Sequence, residues 1–212
     1  MGRIKKNGNI GRLSGTVGDV VVSEWNNIPV VRSRPVRSTK PATQSQIDQQ
    51  VKMALAGQFL KTIKKVLKPG FRNYAVKMSG YNAALKQLLM NAITGQSPVF
   101  AINFSKVFVT KGLLLNEADA SATVASDVVT FTWKYVPDEQ LAEPRDKAIL
   151  VVYCEALNKS VYTLAGAERS TGTATISVAR FKGHDVHTWL AFIAADGLNV
   201  SDSVYTGQVT VT

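Results

Sequence analysis

Cysteine is almost absent from this 212-residue chain: Cys154 stands alone, so no intrachain disulfide forms and a small disulfide-stapled scaffold is excluded. Histidine is nearly as scarce, at two residues, and no catalytic triad, zinc-finger or phosphate-loop spacing accompanies it. The expectation is a protein that is not an enzyme and carries no cofactor. No stretch approaches the ~18 apolar residues of a membrane span. The first residues, MGRIKKNG, lack the apolar core of a secretory signal. Gly2 does not make a myristoylation site, because Lys6 stands where that motif needs Ser or Thr. A cytoplasmic protein without a membrane span follows, with virion or particle association as the other location.

Acidic residues are the next scarcity, and it is local. Residues 1–111 hold 18 Lys/Arg against 3 Asp/Glu, whereas 112–212 hold 7 against 12. The asymmetry predicts two modules, 1–111 and 112–212, of which the basic one attracts phosphate or acidic protein faces. It also permits a basic half to meet the acidic half of a neighbouring copy, a heterologous contact that generates rings or open filaments.

Within the basic half, β-branched runs at 20–22 and 28–31 flank Asn26-Asn27 and predict a β-hairpin. Glycines at 8, 11, 15 and 18 have neither P-loop nor dinucleotide spacing and read as turn residues. Arg32, Arg34, Arg37 and Lys40 then lie along a stretch that Pro35 and Pro41 keep extended, an arm for a phosphate backbone or a neighbouring subunit, or a plain connector. Thr43-x-x-Gln46 has capping-box spacing and predicts the start of a long helix. At helical period Leu55, Phe59, Leu60, Ile63, Val66 and Leu67 form one arc and Lys61, Lys64, Lys65 and Lys68 the opposite one, until Pro69-Gly70 ends it. A second helix is read from Ser79 as N-cap to Gly95 as C-terminal glycine, completing a helical hairpin.

From Pro98 the period changes to two. Strands are predicted at 99–104 and 106–110, then at 122–125, 128–135, 148–155, 160–164, 173–179, 186–195 and 204–211, the pattern of an antiparallel β-sandwich with Trp133 and Trp189 between its sheets. The fold class is therefore α+β, with an N-terminal β-hairpin and helical hairpin followed by a C-terminal sandwich.

The segments VTFTW (129–133), KAILVVY (147–153), TWLAFIAADGLNVSDS (188–203) and GQVTV (207–211) resemble a fibronectin type III domain over the last 95 residues or so. That resemblance concerns fold and implies no function. The whole chain, through LSGTVGDVVVSEW (13–25), VRSRP (31–35) and TQSQ (43–46), resembles an uncharacterised family of proteins of this length from Bacteroidota. The arginine-proline stretch with its following helix is also similar to segments of phage-associated structural proteins.

Residues with chemical potential are few. His184 and His187 with Cys154 have no fourth ligand, and an offset of three on a strand points side chains to opposite faces. Asp138, Glu139 and Glu143 fall in a proline-containing loop, and Cys154 lies mid-strand as an inert buried thiol. The leading expectation is a non-enzymatic, self-associating structural protein whose contacts are carried by Trp25, Arg32, Arg34 and Arg37. The alternative is a sequence-independent nucleic-acid-binding protein using Arg32, Arg34, Arg37, Lys61, Lys64, Lys65 and Lys68 through phosphates.

Overall fold

The structure is a computed structural model that describes residues 2–3, 14–25, 28–36, 40–116, 119–136 and 142–212, with 2, 3 and 25 by backbone alone. By its contacts the chain divides into two units, Met1–Thr43 and Gln44–Thr212. The point at 111/112 where the charge changes sign falls inside the second.

The first unit is one antiparallel sheet. Its strands β1 (Gly2–Arg3), β2 (Gly15–Val17), β3 (Val20–Trp25) and β4 (Ile28–Ser33) lie in the order β1-β4-β3-β2. Val17 pairs with Val20 across a two-residue turn in which Gly18 takes a φ of +57°, a conformation that favours glycine. Trp25 pairs with Ile28, so β3 and β4 form the expected hairpin; Asn26 and Asn27 between them lie outside the described residues. The valines opposite one another are Val22 and Val31, while Val30 opposes Ser23 on the other face. Of the described residues in this unit, only Val30 is buried.

The second unit has three layers. Helix α1 (Gln44–Thr62) starts directly after Thr43, and α2 (Lys64–Gly70) continues its line after a break at Ile63. The apolar arc survives that break, since Phe59, Leu60, Ile63, Val66 and Leu67 are all fully buried. Gly70 ends α2 where a side chain would meet the 109–110 segment: a Cβ there would lie 2.8 Å from Thr110 Cγ2. Helix α3 (Gly80–Asn91) is capped by Ser79 Oγ, which accepts from the Asn82 amide at 3.2 Å. It stops short of Gly95, contrary to expectation. The hairpin of β5 (Ile93–Gln96) and β6 (Val99–Ile102) follows, and Gly95 serves its backbone at φ +95° instead of capping the helix.

The predicted strand at 106–110 is also absent. Phe104–Lys106 makes a 3-10 turn, and the next residues are tied by side chains: Ser203 Oγ accepts from the Val109 amide (2.9 Å) and Thr110 Oγ1 donates to Ser201 O (2.9 Å). All seven strands read further on are present, as β7 (Ser121–Ala125), β8 (Val128–Thr132), β9 (Lys147–Cys154), β10 (Lys159–Thr163), β11 (Thr173–Ser177), β12 (Asp185–Ile193) and β13 (Val204–Thr210). They form two antiparallel sheets, β11-β8-β7 and β10-β9-β12-β13.

Residues alternate across β9 and β12, and both faces of that sheet are covered. Leu150, Val152, Leu190 and Phe192 meet Val129, Phe131 and Trp133 of the three-stranded sheet. Ile149, Val151, Tyr153, Trp189 and Ala191 meet Phe59, Ile63 and Leu67 of the helices. Trp133 thus lies between the sheets as expected, whereas Trp189 lies on the opposite face, 5.9 Å from the Phe59 ring, with Nε1 donating to Val107 O at 3.2 Å. Helices 44–91 and strands 147–210 therefore share one core across the change of charge.

Candidate functional site

Burying the apolar arc of α1 and α2 leaves Lys61, Lys64, Lys65 and Lys68 exposed together, as the helical period requires. The surface is broader than those four. Residues 44–111 expose eight basic side chains and no acidic one among the described residues. Their one carboxylate, Asp48, is half-buried and accepts from Gln44 Nε2 and Ser97 Oγ, both at 2.8 Å. Two further lysines rest on rings: Lys52 Nζ lies 4.6 Å from the Phe100 centroid, and Lys111 Nζ 5.3 Å from both Tyr74 and Phe108. No described carboxylate lies within ion-pair distance of Lys61, Lys64, Lys65 or Lys68. Residues 112–212 differ, exposing six acidic and six basic side chains among those described.

Arg32 and Arg34 belong to the first unit and are exposed; the Arg34 amide donates to Asp19 O at 2.7 Å, pinning the chain after β4 to the β2–β3 turn. Trp25 is placed in β3 by its backbone, and Arg37 lies outside the described residues. By register, Val17, Val20, Val22 and Val31 share one face, and Val21, Ile28, Val30 and Arg32 the other. Val17 is 66% exposed and Val20 38%. Both outer edges of the hairpin are paired, with β2 alongside β3 and β1 alongside β4.

Histidine is arranged otherwise than the spacing suggested. His184 precedes β12 rather than lying on it, and both histidines line a cavity of about 500 Å³ with Glu155, Asp185 and Gln208. Cys154 is on the other side of the sheet, wholly buried between the two sheets. The Asp185 carboxylate accepts from Thr210 Oγ1 (2.6 Å) and Gln208 Nε2 (3.1 Å). His187 stacks on Phe104 at 4.0 Å, shares a hydrogen bond of 2.9 Å with the Tyr205 hydroxyl, and has Glu155 4.0 Å from Nε2. Burial holds the His187 pKa below its ordinary value, with Asp185 opposing, and burial pushes Tyr153 up to about 12. No group of three or more His, Cys, Asp or Glu among the described residues stands where it can hold a metal ion. Glu143 is exposed; Asp138 and Glu139 lie outside the described residues.

One ion pair escaped the sequence reading altogether. Arg169 and Asp146, 3.2 Å apart and both buried, close one end of the sandwich. The guanidinium lies 4.0 Å over Phe192 and donates to Leu115 O (2.9 Å), while Arg169 O accepts from Trp133 Nε1 (2.8 Å). Burial raises the Asp146 pKa and Arg169 opposes that rise. No local periodicity marks an arginine in a 3-10 turn for the interior.

Fold and surface together define an α+β protein with an antiparallel sandwich, a helical layer and a separate small sheet. Residues 12–207 match the model of a family of unknown function, DUF6266, and the chain belongs to that family. No curated protein matches the chain. No helix among the described residues is long and apolar enough to cross a membrane.

Proposed function

We propose that the protein is a non-enzymatic structural protein that self-associates into a filament or larger particle through the sheet of its first unit. The observation that carries this reading is a four-stranded sheet with valines on both faces and, among the described residues, only Val30 buried. An antiparallel sheet becomes stable when an apolar face is packed against something. A second copy brings a sheet of the same kind, and two sheets stack face to face at about 10 Å. Two open faces also give each copy two contact surfaces, the number a linear polymer requires. The face of Val17, Val20, Val22 and Val31 carries no basic residue among those described, and Glu24 at its end is its one acidic residue among them. Arg32 lies on the opposite face, Arg32, Arg34, Arg37 and Trp25 are the contact residues of this reading, and a phage-type virion component is the particular form of it that the arginine-proline stretch supports.

The sandwich is read as fibronectin type III-like. In support, seven strands numbered in sequence order within the sandwich divide as 5-2-1 and 4-3-6-7, and Trp133 closes the second of them.

Light scattering of the nuclease-treated full chain tests the assembly. A mass many times 23.0 kDa is expected. Val17→Lys with Val20→Lys, at two exposed positions on one face, is expected to cut it to at most two chains with the second unit still folded. An assembly larger than two chains that survives both substitutions, or a wild-type chain that is monomeric throughout, overturns the proposal.

A further inference from the structure

We propose that the exposed lysines of α1 and α2, Lys61, Lys64, Lys65 and Lys68, form a phosphate-tracking surface that binds nucleic acid without regard to sequence. The surface lies in the second unit and does not depend on the first unit's sheet. Three observations carry it. The helices that present the lysines are anchored, since Phe59, Ile63, Val66 and Leu67 on their opposite side are fully buried. The charge is not neutralised from within: no described carboxylate is in ion-pair reach, and residues 44–111 expose eight basic side chains and no acidic one among those described.

The partner follows from what the surface does not fit. Among the described residues a second copy offers no net anionic face at 112–212, which exposes six acidic and six basic side chains. A membrane-surface helix inserts its apolar face among lipid chains, and here that face is consumed by the core. A polyanion with regularly spaced charge remains. Lys61, the adjacent Lys64 and Lys65, and Lys68 follow one another at about one helical turn, about 5.4 Å, a spacing of the same order as duplex phosphates, at about 3.4 Å of axis per strand. Lysine ammonium groups bind such phosphates as point charges, and no base-reading motif accompanies them.

The test uses the nuclease-treated full chain with a labelled mixed-sequence duplex, followed by fluorescence anisotropy over a salt series. Each phosphate contacted adds roughly 0.9 to the log–log slope, so a slope of about −3 to −4 is expected. Replacing the four lysines with glutamine is expected to weaken binding at least about tenfold and to remove most of that slope, at about one unit of slope per lysine. The four-arginine variant is expected to bind as the wild type does. Lys134, Lys147, Lys159 and Lys182 are exposed on the sandwich, and their replacement with glutamine removes the same charge. That control is expected to leave binding unchanged. Equal loss in both glutamine variants, binding that is insensitive to salt, no binding, or preference for phosphatidylserine vesicles over the duplex overturns the proposal.

Discussion

The two units use the same element, an antiparallel sheet with apolar residues on both faces, and treat it oppositely. In the second unit every residue of β9 after Lys147 is buried, because a second sheet covers one face and helices the other. In the first unit the valines of β3 and β4 stay half-buried or exposed except Val30, which alone reaches burial among the described residues. Apolar residues on consecutive positions of a strand therefore signal a sheet with two covered faces in one case and two faces awaiting cover in the other. What differs is the supply of covering elements: α1, α2 and the three-stranded sheet lie in the second unit, and residues 1–43 contribute no helix among those described.

Removing the cover from the well-packed sheet gives the largest effect. Trp189→Ala deletes a wholly buried ring at the junction of Phe59, Tyr205 and Phe104, and is expected to cost the second unit about 3–5 kcal/mol in denaturant unfolding. Arg169→Met comes next. It leaves Asp146 buried without its guanidinium, an expected loss of about 3 kcal/mol in the same measurement, which Asp146→Leu added to it restores at least in part. Both changes sharpen the comparison if the first unit's association is untouched.

The smallest effect is a slope. His187 has its pKa lowered by burial, so between its folded pKa and the ordinary 6.5 the unfolded chain binds more protons than the folded one. Stability conferred by neutral His187 is present above pH 6.5 and is lost as pH falls through that window. Thermal unfolding of His187→Gln between pH 5 and 8 is expected to lack that component of the wild-type profile; an identical profile contradicts it.

Much of the architecture was legible because two periods were clean. The 3.6-residue arc of Phe59, Ile63 and Val66 and the cap at Ser79 located the helices, and alternation located seven strands between 121 and 210. The side taken by Trp189 was not legible, since the run from Trp189 to Ile193 is apolar at every position and offers no alternation from which to choose a face. Gly95 misled because a helix-ending glycine and a hairpin glycine are the same letter with the same positive φ. The unneutralised lysine surface was visible as a pattern. Its contrast with the sandwich required exposure, because residues 112–212 expose six acidic and six basic side chains among those described, while Asp127 and Asp202 are half-buried and Asp146 is buried beside Arg169.

Amide hydrogen exchange at two protein concentrations tests most directly the claim that the first sheet is completed by another copy. Protection across Val20–Trp25 and Ile28–Ser33 is expected to rise with concentration, while Lys147–Cys154 and Asp185–Ile193 stay protected at both. Strong protection of the first sheet in dilute, monomeric protein, unchanged on concentration, would contradict the account.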